Sequence, residues 1–161
     1  MRSPYLAYMN KADQYKEVLE QIEAVIDGEP SVTARYATAS CLLSQAFDYF
    51  FWTGFYVVDP DKENELVVGP YQGTLGCLRI AFDRGVCGAC ATQKETIIVD
   101  DVHAFPGHIA CDSQTNSEIV VPVFDESGAL KAVLDVDSTA LGSFDEDDKK
   151  GLEAIAALMH P

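Results

Sequence analysis

The spacing of apolar residues changes its period near residue 50, which restricts the chain to folds that combine helix with sheet. Upstream, Tyr15, Val18, Leu19, Ile22, Val25 and Ile26 recur at steps of three and four within residues 11–27, the stripe of an amphipathic helix that Gly28 and Pro30 end. A second helix is expected from Val32 to Tyr49, with Leu42, Leu43, Ala46, Phe47 and Phe50 turned inward and Cys41 filling the core. Downstream, TGFYVVD, ELVVGPY and CLRIAFD read as strands, the first two joined by the polar turn from Pro60 to Asn64. A short helix from Val86 to Lys94 precedes a brief strand, ETIIVDD, and a long loop from Val102 to Asn116. SEIVVPVFD and ALKAVLDVDS flank Glu126, Ser127 and Gly128 as a hairpin. The closing helix has Asp145 to Asp148 at its positive end and Leu152, Ile155, Ala156 and Met159 as its buried stripe. No repeat, low-complexity tract or linker interrupts this order. It predicts one α+β domain over residues 1–161, with a central, mostly antiparallel sheet and flanking helices.

Charge narrows the partners. The chain carries 26 Asp and Glu against 11 Lys and Arg, for a net charge of −15. Such a surface favours solubility and repels phosphate backbones and anionic lipid, which argues against nucleic acid and membrane. The N-terminal MRSPYLAYMNKADQYKEV lacks the apolar core of a signal peptide, and no window approaches a membrane span. The expected location is therefore the cytoplasm or an equivalent reducing compartment. There the five cysteines, Cys41, Cys77, Cys87, Cys90 and Cys111, are an odd set and are not expected to form a permanent framework.

From Cys87 to His108 the sequence has the Cys, Cys, His, His spacing of a zinc finger. A finger needs both histidines on one helix face, and the Ala-Phe-Pro-Gly between His103 and His108 opposes a helix there. No metal is expected in that arrangement; the two histidines are taken as structural, and a zinc site from Cys87, Cys90 and Cys111 remains a lesser alternative. The Cys87-x-x-Cys90 pair lacks the βαβ setting of a thioredoxin-like site. Redox chemistry suits the placement of the others. Cys111 lies in a loop beside His108, which favours its thiolate when protonated, and Asp112, which opposes it. Cys87 lies at a helix start near Arg84, and Cys77 begins or precedes a strand.

FWTGFY, GPYQG, RGVCG, VHAFPGHIACD, NSEIVVPV and VLDVDS, in that order, resemble the free methionine-(R)-sulfoxide reductases, stand-alone enzymes of the GAF fold. The resemblance runs from about Trp52 to Gly151. It implies a GAF-like fold and reduction of free methionine sulfoxide, one epimer at sulfur, with thioredoxin as reductant. No cofactor is expected. The family's nucleophile falls on Cys111 and its other redox cysteines on Cys87 and Cys77, with the order of these two left open. Cys90 departs from the family pattern, which has a small non-thiol residue there, and adds a fourth candidate thiol.

The chemistry asks for a thiolate at the sulfoxide sulfur and an acid at its oxygen. The resulting sulfenic acid condenses with a second thiol, and an external dithiol reduces the disulfide. Glu118, Asp135 and Asp137 match the family's substrate-contacting acids. Asp135 and Asp137 share one strand face with Val133, while Leu134 and Val136 face the other way. Crowding raises the pKa of such acids, so that one donates a proton while another pairs with the substrate ammonium. On the residues alone, an outward row of solvated acids is the competing reading. By the same resemblance, Trp52 and Tyr71 wall the methylsulfinyl group, and Gly85, Gly88 and Gly107 let backbone amides approach the substrate carboxylate. Two other functions stay open: a GAF module that senses a small ligand without chemistry, and a small zinc protein. The oligomeric state is also open, with a homodimer among the candidates.

Overall fold

Side-chain caps start the first two helices. In α1 (Lys11–Ile26) the Asn10 side chain accepts from the Asp13 amide at 2.9 Å, and in α2 (Val32–Ala46) Ser31 accepts from the Ala34 amide at 3.2 Å. The computed structural model describes residues 9–108 and 111–161; residues 1–8, and Ile109 and Ala110 of the HAFPGHIACD segment, lie outside the described residues. Tyr15, Val18, Ile22 and Ile26 form the buried stripe of α1, but Val25, at its margin in the last turn, is 59% exposed. α2 ends earlier than expected because Phe47 turns to extended backbone, while its side chain stays in the core. Cys41 is half-buried, with Gln45 donating to its sulfur, and so sits at the edge of the core instead of inside it.

Six strands follow: β1 (Trp52–Val58), β2 (Glu65–Gln72), β3 (Arg79–Ala81), β4 (Ile97–Val99), β5 (Ser117–Phe124) and β6 (Leu130–Ser138). They form one sheet in the order β3-β2-β1-β6-β5-β4, antiparallel at every pairing. Both expected hairpins are present, β1–β2 and β5–β6, with Asn64 and Gly128 at positive φ in their turns. β3 covers only the middle of the CLRIAFD segment: Cys77 at its start is bonded to the loop that precedes β5, and Phe82 and Asp83 at its end form a turn.

Helices α1, α2 and α4 (Glu146–Ala156) cover one face of the sheet, and α3 (Gly85–Gln93) packs over β5 and β6 on the other. The two-residue period of β6 divides it between these layers. Leu134 and Val136 join Phe55, Ile119, Leu152 and Ile155 in the first core, whereas Val133 packs with Trp52, Tyr56, Cys90 and Val120 in the second. Among the described residues no helix is long and apolar enough to cross a membrane.

Candidate active site

Strand register assembles the acids. On β1 and β6, Trp52 pairs with Asp137, Gly54 with Asp135 and Tyr56 with Val133; on β5 and β6, Glu118 pairs with Asp137 and Val120 with Asp135. Paired residues project from the same sheet face, so Trp52, Tyr56, Glu118, Asp135 and Asp137 converge under α3. Glu118 is 6% exposed and Asp135 5%, which sets aside the solvated row of acids. The Cys87 thiol, on α3, donates to Glu118 Oε1 at 3.9 Å. Its sulfur and one oxygen each of Glu118 and Asp135 lie within 4.8 Å of one another, a donor set that could also hold a metal ion.

Burial controls the charge of this cluster. It pushes the Glu118 carboxyl well above the usual range, and the charges of Asp135 and Asp137 push it further. Asp137 is raised well above its ordinary value by burial and by Asp135, against the hydrogen bond from Thr115. Asp135 is also raised by burial, with Glu118 and Cys87 opposing the shift through hydrogen bonds. The Cys87 thiol is pushed up by burial and then by the three carboxylates. A cluster of this kind holds its protons to higher pH than ordinary carboxyls do, and a proton so held can pass to an oxygen brought beside it. Asp135 Oδ1 and Asp137 Oδ1 are buried without a hydrogen-bond partner among the described residues, two acceptors available to a bound donor.

The cavity beside the acids is partly open to solvent and joins an aromatic wall to a few converging polar groups, the make-up of a small-molecule site. Trp52 and Tyr56 line it, stacked with centroids 5.5 Å apart. Tyr71, the expected wall, instead stacks behind Trp52 at 5.0 Å, where the close approach of β2 leaves Gly54 no room for a side chain. The Trp52 indole donates to the Thr74 carbonyl at 2.9 Å, fixing the ring.

Cys111 is exposed at the cavity mouth and joined to Cys77 by a disulfide, with Cα atoms 5.5 Å apart. A hydrogen bond of 2.7 Å from Thr74 Oγ1 to Asp112 Oδ2 ties the same two segments. This disulfide excludes the assembly of Cys87, Cys90 and Cys111 as a zinc site in this state. Of the four residues with finger spacing, Cys87 and Cys90 are on α3, His103 is on a 3-10 turn paired with Asp101, and His108 lines the cavity. Burial, then His103, lowers the pKa of His108, which favours its neutral form.

The structure thus brings Cys111, Cys87, Trp52, Glu118, Asp135 and Asp137 to one cavity, attaches Cys77 through the disulfide, and leaves Tyr71 behind the indole. Sequence reasoning missed Tyr56 and Thr115. Tyr56 stands four residues after Trp52 in a strand, so the period of two was a sufficient signal. Thr115 belongs to an irregular loop and carries no such signal.

Residues 42–160 match the family model for the GAF domain. The chain is 49% identical over 150 residues to GAF domain-containing protein A of Dictyostelium discoideum, covering 93% of this chain and 92% of that protein. It is 40% identical over 160 residues to the free methionine-R-sulfoxide reductase of Saccharomyces cerevisiae, covering 97% and 89%. Among solved structures it is similar to the free methionine-R-sulfoxide reductase of Neisseria meningitidis in complex with its substrate, at 46% identity and a TM-score of 0.89, covering 94% of this chain and 89% of that one.

Proposed function

This chain belongs to the free methionine-R-sulfoxide reductases of the GAF-domain family, and on that premise we propose that it reduces free methionine-R-sulfoxide in the cavity under α3 with Cys111 as nucleophile. The observation that carries this reading is the Cys77–Cys111 disulfide at the mouth of a cavity floored by buried carboxyls. In the first step the Cys111 sulfur attacks the sulfoxide sulfur. A protonated acid, Glu118 or Asp137, gives its proton to the sulfoxide oxygen. The oxygen leaves with Cys111 as a sulfenic acid, and methionine is released. Cys77 then attacks the Cys111 sulfur, expels water and forms the disulfide.

The remaining groups have evident parts. Unpartnered Asp135 Oδ1 and Asp137 Oδ1 accept from the substrate ammonium, and Trp52 and Tyr56 hold its methyl end. The substrate carboxylate lies toward the first turn of α3, where Arg84 and the helix dipole favour an anion. Thioredoxin restores the dithiol by exchange at the exposed sulfur of Cys111, in a reducing compartment. A ligand sensor without chemistry would have no need of these thiols.

The test is a thioredoxin-coupled assay with both sulfoxide epimers and a peptide containing methionine sulfoxide. Wild-type protein should turn over the free R epimer, Cys111→Ser should turn over nothing, and Cys77→Ser should form no disulfide at position 77 and build up a sulfenic acid that dimedone traps on Cys111. Full activity in Cys111→Ser would remove the proposal.

A further inference from the structure

Cys87 and Cys90 occupy the first two turns of α3, three residues apart. At that spacing helical Cα atoms lie ~5 Å apart, inside the ~4.4–6.8 Å that a disulfide spans. Both thiols face the sheet and both are free. Cys87 Sγ meets Glu118 Oε1 and Cys90 Sγ meets the Val120 carbonyl at 3.6 Å, two residues further along β5. Cys87 lines the same cavity as Cys111, whereas Cys90 lies behind the cavity lining at 0% exposure. A second dithiol therefore sits beneath the oxidised pair, with one sulfur on the cavity side and one shielded from any protein reductant.

We propose that Cys87 and Cys90 are a second redox couple that takes over the oxidation of the Cys77–Cys111 disulfide, so that one chain completes two turnovers before it needs an external reductant. The inference rests on the activity proposed above. In its first step Cys111 swings across the cavity and the Cys87 sulfur attacks it. The Cys77–Cys111 bond breaks as the Cys87–Cys111 bond forms, and Cys77 leaves as a thiolate. The Cys87 proton passes to a carboxylate of the acid cluster, and a proton from the same cluster or from solvent neutralises Cys77. In the second step Cys90 attacks the Cys87 sulfur, the Cys87–Cys111 bond breaks, and Cys111 departs with the proton that Cys90 gives up. One disulfide replaces another, with no net change in electrons or protons, and Cys77 and Cys111 are again a dithiol. The carboxyl that gave its proton to the sulfoxide oxygen is left ionised, and Glu118, in contact with the Cys87 thiol, is placed to take the proton from that thiol in this state.

The experiment mixes reduced protein, freed of small thiols, with excess free methionine-R-sulfoxide and no thioredoxin. Methionine is counted per chain, and the protein is alkylated and cut with trypsin. Arg84 and Lys94 bound a single peptide, residues 85–94, that contains both thiols. The expected result is about two methionines per chain, with this peptide unalkylated and lighter by two hydrogens, as a disulfide requires. Cys90→Ser should halve the yield, with Cys87 either open to alkylation or held in a mixed disulfide with Cys111. The wild-type peptide decides the matter even if that variant is unstable. A wild-type yield of about one, with both thiols of the peptide alkylated, overturns the inference and leaves the proposed activity standing. A yield of zero overturns both.

Discussion

Glu118 combines a cost in stability with the place of a proton donor in the proposed reaction. Its carboxyl is held well above the ordinary range by burial and by Asp135 and Asp137. The folded state therefore keeps a proton that the unfolded chain releases above the usual Glu pKa of ~4.3, and stability falls as pH rises from there through the raised value. Glu118→Gln removes that titration. Its melting temperature should exceed that of wild type at pH ~8, by roughly 2–4 °C for each kcal/mol relieved, and the gap should narrow toward pH ~5. Activity should change in the opposite direction, because an amide has no carboxyl proton to give: kcat falls about 100-fold. Wild-type kcat should decline with rising pH while that of the variant stays flat. Melts and rates across one pH series check both, and a variant no more stable than wild type at pH ~8 would take the proton away from Glu118.

At the scale of elements, the start of α4 shows how a cap becomes a tertiary link. Asp145 and Asp148 form a capping box, with the Asp145 amide donating to Asp148 at 2.8 Å. The sequence places these acids at a helix dipole, which would leave them at the surface. Asp148 is instead fully buried and accepts from Lys11 at 2.6 Å, Tyr15 at 2.7 Å, and Tyr49. It thereby joins α4 to α1 and to the segment that follows α2. Asp148→Ala should cost about 3 kcal/mol, because two buried hydroxyls and an ammonium lose their shared acceptor. The acid cluster is on the opposite face of the sheet, so kcat should be unchanged. Chemical denaturation paired with the coupled assay tests this, and a loss of activity larger than the loss of folded protein would contradict the separation of the two layers.

Across the whole molecule, the Cys77–Cys111 bond links two segments 34 residues apart and closes one side of the cavity. Cross-linking a loop of that length lowers the entropy of the unfolded chain by an amount worth ~3–4 kcal/mol at most. The oxidised protein should melt above the reduced protein, and Cys77→Ser should melt at one temperature with or without reductant. Equal melting of the two wild-type forms would mean that the bond adds nothing to the fold beyond its part in turnover.

What the sequence by itself determined was local. The stripe of α1, the two hairpins and the shared face of Asp135 and Asp137 depend on residues within a few positions of each other. The short motifs also carried the resemblance to the reductases, because residue identity in order is a linear property. Tertiary structure alone decided that Glu118 lies opposite Asp137, that Trp52 lies opposite Asp137 from the other side, and that Tyr56 replaces Tyr71 at the cavity. It also decided that Cys77 reaches Cys111 while Cys87 stays with the acids. Each of these contacts joins residues distant in the chain, and their meeting depends on strand order and register, which result from packing the whole sheet between its helices.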